Sequence, residues 1–160
     1  MLGLTKADFA IRAENFNLLQ PWNILRIFAG FCMLPHAAGK FLNGGLNPGI
    51  VGFFTKAGMV PAEFFVPLAA TSEIAVGIAL ILGICTRFAA LGGAAVLGLA
   101  IYATQVVKGF GWLWNFGGHE YNVFWALVMI TVSMSASPPP KSTRPMFRTR
   151  PAANAAGLFS

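Results

Sequence analysis

The sequence predicts an all-α integral membrane protein: a four-helix transmembrane bundle preceded by a short interfacial N-terminal segment. Three observations predict it. Hydrophobic residues are 56% of the 160 and charged residues only 10%, whereas a soluble domain carries roughly 25% charged residues. Mean hydropathy is +0.68. The apolar residues also fall into four stretches, each near the length of about 20 residues that a bilayer demands, with turn-rich or charged breaks between them.

Residues 1–21 form an interfacial segment. Phe9, Ala13 and Phe16 recur at helical spacing, and Asp8 and Arg12 are an i,i+4 pair, so a short helix lying on the membrane is expected. The segment has no continuous apolar core, which argues against a cleaved signal peptide. The membrane unit is expected over residues 22–137. Its first span runs from Trp22 to Phe41, with Pro21 suited to a helix start and Trp22 to an interface anchor; Pro35 is expected to kink it. Asn43-Gly44-Gly45 through Gly49 is a turn-rich break. Ile50–Met59 is too short to span and reads as a loop with one interfacial helical turn.

The second span covers Pro61–Gly83 and the third Phe88–Val107, with a tight turn at Ile84–Arg87. The third carries small-xxx-small pairs (Ala89/Gly93, Ala90/Ala94, Ala94/Gly98) that let helices approach closely. Lys108–Gly118 holds Phe110, Trp112, Trp114 and Phe116, an aromatic-belt composition. The fourth span runs from His119 to Ala136 and is ended by Pro138-Pro139-Pro140. A basic, Pro/Ala-rich tail, 138–160, follows.

Charge sets the orientation. Lys6, Arg12, Arg87, Lys141, Arg144, Arg148 and Arg150 fall on one side of this topology, and only Lys56 and Lys108 on the other. Both termini are therefore expected in the cytoplasm, in a bacterial-type inner membrane. The net charge of +6 is a topology and lipid-headgroup signal; no nucleic-acid module is visible. Cys32 and Cys85 fall at different depths, so no disulfide is expected, and no metal-type Cys/His spacing occurs.

Glu73 stands midway along the second span. A carboxylate there costs several kcal/mol unless it is paired, protonated or hydrated. Counting the helical rise places His36, Glu73 and Tyr102 each about 20 Å from the cytoplasmic edge, a mid-depth polar layer. A second, outer layer would hold Lys40, Glu63, Gln105, His119 and Glu120. Arg26, about 6 Å in, is expected to snorkel to headgroups. Two readings compete for these residues. They line a polar cavity that binds a small molecule or moves protons, or they are buried pairs, Lys40 with Glu120 and His36 with Glu73, that fix helix register.

Leu25-Arg26-Ile27, His36-Ala37-Ala38-Gly39-Lys40, Glu73 with Gly77, Leu82-Gly83-Ile84-Cys85-Thr86-Arg87 and Gly117-Gly118-His119-Glu120-Tyr121-Asn122 together resemble the DoxX family of small four-helix membrane proteins. The resemblance covers residues 22–136. It implies a four-span bundle associated with membrane redox chemistry, since relatives include small subunits of a thiosulfate:quinone oxidoreductase and partners of superoxide dismutase in an oxidative-stress complex. The family's recurrent polar residues map onto Arg26, His36, Lys40, Glu73, Arg87 and Glu120.

The chain shows no haem, iron–sulfur or dinucleotide motif, so any electron carrier is a bound quinone or belongs to a partner chain. The leading expectation is a small subunit of a quinone-linked membrane oxidoreductase, with His36, Lys40 or Tyr102 as donors to a quinone carbonyl and Glu73 as proton relay. A structural or assembly subunit of a larger complex is the alternative, and a proton or small-solute carrier a third reading, weakened by the lack of an inverted repeat. Partners are membrane lipids and other redox subunits; a homo-oligomer stays open.

Overall fold

The structure is a computed structural model in which residues 4–136 are described. The expected proline stop and basic tail lie outside them. The N-terminal segment is not a single interfacial helix. It forms two 3-10 turns, Lys6–Phe9 and Ala13–Phe16. The Asp8 carboxylate, expected to pair with Arg12, is taken locally instead: the Thr5 N–H and hydroxyl both donate to Asp8 Oδ2 at 2.7 Å. Such side-chain bonds offer the backbone an alternative to the α-helix.

Helix α1 (Pro21–Ala38) starts with Pro21 at its first position, where no N–H is needed. Two short strands, β1 (Phe41–Leu42) and β2 (Gly45–Leu46), then pair antiparallel. Asn43 (φ 50°) and Gly44 (φ 80°) form the turn between them, the Asn-Gly pair that tight hairpins favour. The next stretch corrects the expected loop: α2 (Pro48–Lys56) is a nine-residue helix. Asn47 Oδ1 accepts from the Gly49 N–H at 3.0 Å and Pro48 fills the first position, so the start signal is local and strong.

Helices α3 (Ala62–Leu82) and α4 (Thr86–Lys108) are the two described helices long and apolar enough to cross a membrane by length and composition. Gly83 (φ 74°) closes α3, and the Ile84 N–H reaches back to the Ala79 carbonyl at 2.9 Å, as in a Schellman ending. Helix α5 (Glu120–Ser135) completes the described chain. The four longer helices close a ring, α1 on α3, α3 on α4, α4 on α5 and α5 on α1, while α2 lies against α3 and α4. Ala29, Met33, Val76, Leu80, Ala90, Leu97, Met129 and Val132 form the shared core.

Close approach, rather than large side chains, sets the α1–α3 crossing. A Cβ on Gly30 would stand 2.7 Å from the Gly77 carbonyl oxygen, and one on Gly77 2.9 Å from that of Gly30. In lipid, where burial of apolar groups gains little, such contacts are what hold helices together. Gly93 does the same for α4, facing Met129 and Val76. Gly98 meets nothing within 4 Å, so the Ala94/Gly98 pair is not a packing face in this chain.

Candidate functional site

The α1–α3 crossing aligns two antiparallel helices with Gly30 opposite Gly77, and polar side chains act on either side of it. On one side, Arg26 lies a turn before Gly30 and reaches the end of α3. Its Nη1 donates to the Leu80 carbonyl and, at 3.1 Å, to that of Ile81; its Nη2 donates to the Asn15 carbonyl. The Asn15 amide in turn donates to the Leu82 and Gly83 carbonyls at 3.3 and 3.5 Å. Arg26 is therefore buried, 5% exposed. It does not snorkel to headgroups as expected, because the unpaired carbonyls at a helix C-terminus are closer. It clips the N-terminal segment to the α3–α4 turn, where the Cys85 N–H also donates to the Asp8 carbonyl at 2.6 Å.

Toward the other ends of α1 and α3, Lys40 follows α1 by two residues. Its side chain folds back along the helix, and Nζ donates to Glu73 Oε2 at 2.6 Å, to Oε1 at 2.8 Å and to the His36 carbonyl at 3.2 Å. Lys40 and Glu73 are 8% and 7% exposed, and theirs is the ion pair of the described residues. This corrects both expected pairings: Glu73 pairs with Lys40 and not His36, and Lys40 with Glu73 and not Glu120. The depth count placed the Lys40 backbone and ignored the length of its side chain, which spans the gap between the two expected layers.

Three further corrections concern the residues expected around the pair. Tyr102 faces outward, 55% exposed, because α4 turns Val96, Leu99, Ala100 and Ala103 toward the site. Glu63 and Gln105 are exposed and take no part in it. Glu120 is half-buried and accepts from the Trp114 N–H at 3.4 Å, within its own loop. Gly118 makes that loop: a Cβ there would lie 2.5 Å from the Trp112 carbonyl group. His119 is buried against Phe110, ring centroids 5.9 Å apart, with neither ring nitrogen hydrogen-bonded to protein among the described residues. Arg87 lies in the first turn of α4, its guanidinium 4.4 Å from the Phe88 ring centre. The outer polar layer is not assembled.

What the structure does assemble is a cavity of about 320 Å³ between α2, α3 and α4. Its polar end is His36, Lys40, Ser72 and Glu73; its walls are apolar, with Phe53 and Phe54 of α2, Phe65 and Leu68 of α3, and Leu99 of α4. Leu68 and Leu99 are also surface residues, 47% and 58% exposed, so the cavity opens on the outer face of the α3–α4 groove. Sequence reasoning missed α2 as a wall. The Asn47-Pro48 start followed by Ile50, Phe53 and Phe54 at helical spacing was the signal that could have found it.

The polar end has few donors to spare. A lysine ammonium has three N–H bonds, and those of Lys40 are directed at Glu73 and the His36 carbonyl. The Ser72 hydroxyl donates to the Leu68 carbonyl at 2.7 Å. His36 is an exposed residue that lines the cavity, and its ring lies beside that of Tyr121, centroids 6.3 Å apart.

Long apolar helices around a buried ion pair, with a mostly apolar cavity at its side, define a helical membrane protein with a ligand-sized site. The DoxX family profile matches residues 22–106, more than half of the chain, and the chain belongs to the DoxX family. No curated protein and no solved structure matches it.

Proposed function

We propose that the chain is a four-span subunit of the bacterial-type cytoplasmic membrane, with both termini on the cytoplasmic side, that binds a quinone-like molecule in the cavity between α2, α3 and α4. The observation that carries this is the cavity itself. Its volume lies in the usual range for small-molecule sites, roughly 300–1,000 Å³; its walls are apolar and its polar groups gather at one end. A flat, apolar molecule with a carbonyl oxygen fits that division. Entry would be lateral, past Leu68 and Leu99, from the lipid. Of the three donors that the sequence suggested, Lys40 is committed to Glu73 and Tyr102 points away. His36 is the donor that would hold the carbonyl, with Glu73 next to it as the group able to take or give a proton. Electron transfer would be supplied by the quinone and a partner subunit.

Equilibrium binding of a radiolabelled short-chain ubiquinone to quinone-free protein in nanodiscs tests the reading. Saturable binding is expected, weakened about tenfold by His36→Leu, the loss of one good hydrogen bond, and unchanged by Tyr102→Phe. Absence of saturable binding overturns it. A second reading is favoured by one observation: the Lys40 ammonium already directs all three of its bonds within the protein, as a register-fixing pair would. In that case the chain is an assembly subunit, and the host complex would form normally when Glu73→Leu and Lys40→Met are combined to replace the pair.

A further inference from the structure

Beside the large cavity lies a second, smaller one of about 60 Å³, lined by α1, α4 and α5 with Glu73 of α3. Its polar lining is His36, Glu73, Tyr121 and Asn122, and its floor includes Met33 and Trp125. His36, Glu73, Val96 and Ala100 border both cavities, so the polar pair His36 and Glu73 stands where the two meet. A water molecule occupies roughly 30 Å³ of liquid and needs two to four polar partners, so the small chamber has room and partners for one or two. The side-chain amide of Asn122 makes no hydrogen bond to protein among the described residues, nor does the His36 ring. The chamber also has a way out, since its rim is His36, in the last turn of α1, and Tyr121, 42% exposed in the first turn of α5.

We propose that this chamber is a water site that connects the Glu73 carboxylate to the aqueous phase at the α1–α5 rim, separately from the apolar cavity. Glu73 then stands between a wet side and a dry side, and Asn122 and His36 orient the water. The hydration is independent of the ligand reading; what it would serve rests on that reading. A proton arriving through the chamber adds to a Glu73 oxygen, and the same carboxyl gives a proton to the anionic oxygen of a bound quinone that has taken up an electron from the partner subunit. One proton then matches one electron on the ligand, and Glu73 returns to its ionised state beside Lys40.

Three methionines make this testable. Met33 lines the small chamber, Met59 lines the large cavity, and Met129 is fully buried and lines neither. Hydroxyl radicals generated by an X-ray pulse oxidise side chains that touch water, and mass spectrometry reads the yield at each residue. Met33 is expected to be oxidised at least several-fold faster than Met129. Asn122→Leu should lower the Met33 yield several-fold and leave Met59 unchanged. If Met33 reacts no faster than Met129 in the unaltered protein, the chamber is dry and the proposal falls, whether or not the variant folds. Adding a short-chain ubiquinone separates the two readings: protection of Met59 alone supports the ligand site, and loss of that protection with Met33 still reactive sinks the ligand reading only.

Discussion

Lys40 lies beyond the last turn of α1, yet its ammonium ends beside Glu73, and that reach fixes the role of each polar residue nearby. Removing one partner of a buried pair leaves an uncompensated charge and costs about 3–5 kcal/mol. Lys40→Met is therefore expected to lower unfolding stability in detergent by that amount. Replacing Glu73 by Leu in the same chain should recover most of the loss; a double variant as unstable as the two single losses added together would show that the pair is not coupled. His36→Leu should leave stability nearly unchanged, because the ring makes no hydrogen bond to protein among the described residues. These assignments were partly legible. Glu73, His36 and Lys40 stood out as costly residues in an apolar chain. Their partners did not, because residue depth along a helix says nothing about where a flexible lysine puts its nitrogen.

The elements meet through small residues, and the consequences are sharp. Gly30→Ala would drive a Cβ into the Gly77 backbone, forcing α1 and α3 apart at a cost of about 1–3 kcal/mol and loosening both the Arg26 clip and the Lys40–Glu73 pair. Gly98→Ala, with open space around it, should cost nothing; thermal unfolding of the two variants side by side checks the contrast. At the N-terminal turn, hydrogen bonds from the Thr5 hydroxyl and then its N–H hold the Asp8 carboxyl below its ordinary 3.8, with smaller help from Arg87 and Arg12. A carboxyl depressed in the folded state contributes stability above its unfolded value and loses it as pH falls through the folded one. The anchoring of this turn should weaken only below about pH 3.9, read as faster hydrogen exchange at the Cys85 amide after correction for intrinsic rates. Thr5→Ala should shrink this pH dependence, because the folded and unfolded values then lie closer together. Element positions were mostly legible: the helix starts at Pro21 and the turn at Gly83 follow from residues that cannot do otherwise. The length test hid α2, since it asks whether a segment can span and not whether it can fold against its neighbours.

At the scale of the whole molecule, the positive charges predict that the N-terminus and the β-hairpin face opposite sides. In a background lacking Cys32 and Cys85, an impermeant thiol reagent applied to intact cells of a host strain should label Asn43→Cys and spare Thr5→Cys; the reverse pattern would invert the topology. The sequence by itself determined the membrane class, the family and the extent of the four long helices. Those follow from hydropathy, chain length and turn residues, which act locally. The tertiary structure decided which residues meet: Lys40 with Glu73, Arg26 with the end of α3, Tyr102 turned to the outside and α2 closing the cavity. The physical reason is the solvent. In water, the polar face of a helix announces its orientation; in lipid, both faces are apolar and carry no such contrast, so helix rotation is set by contacts such as Gly30 against Gly77 that exist only once the chain has folded.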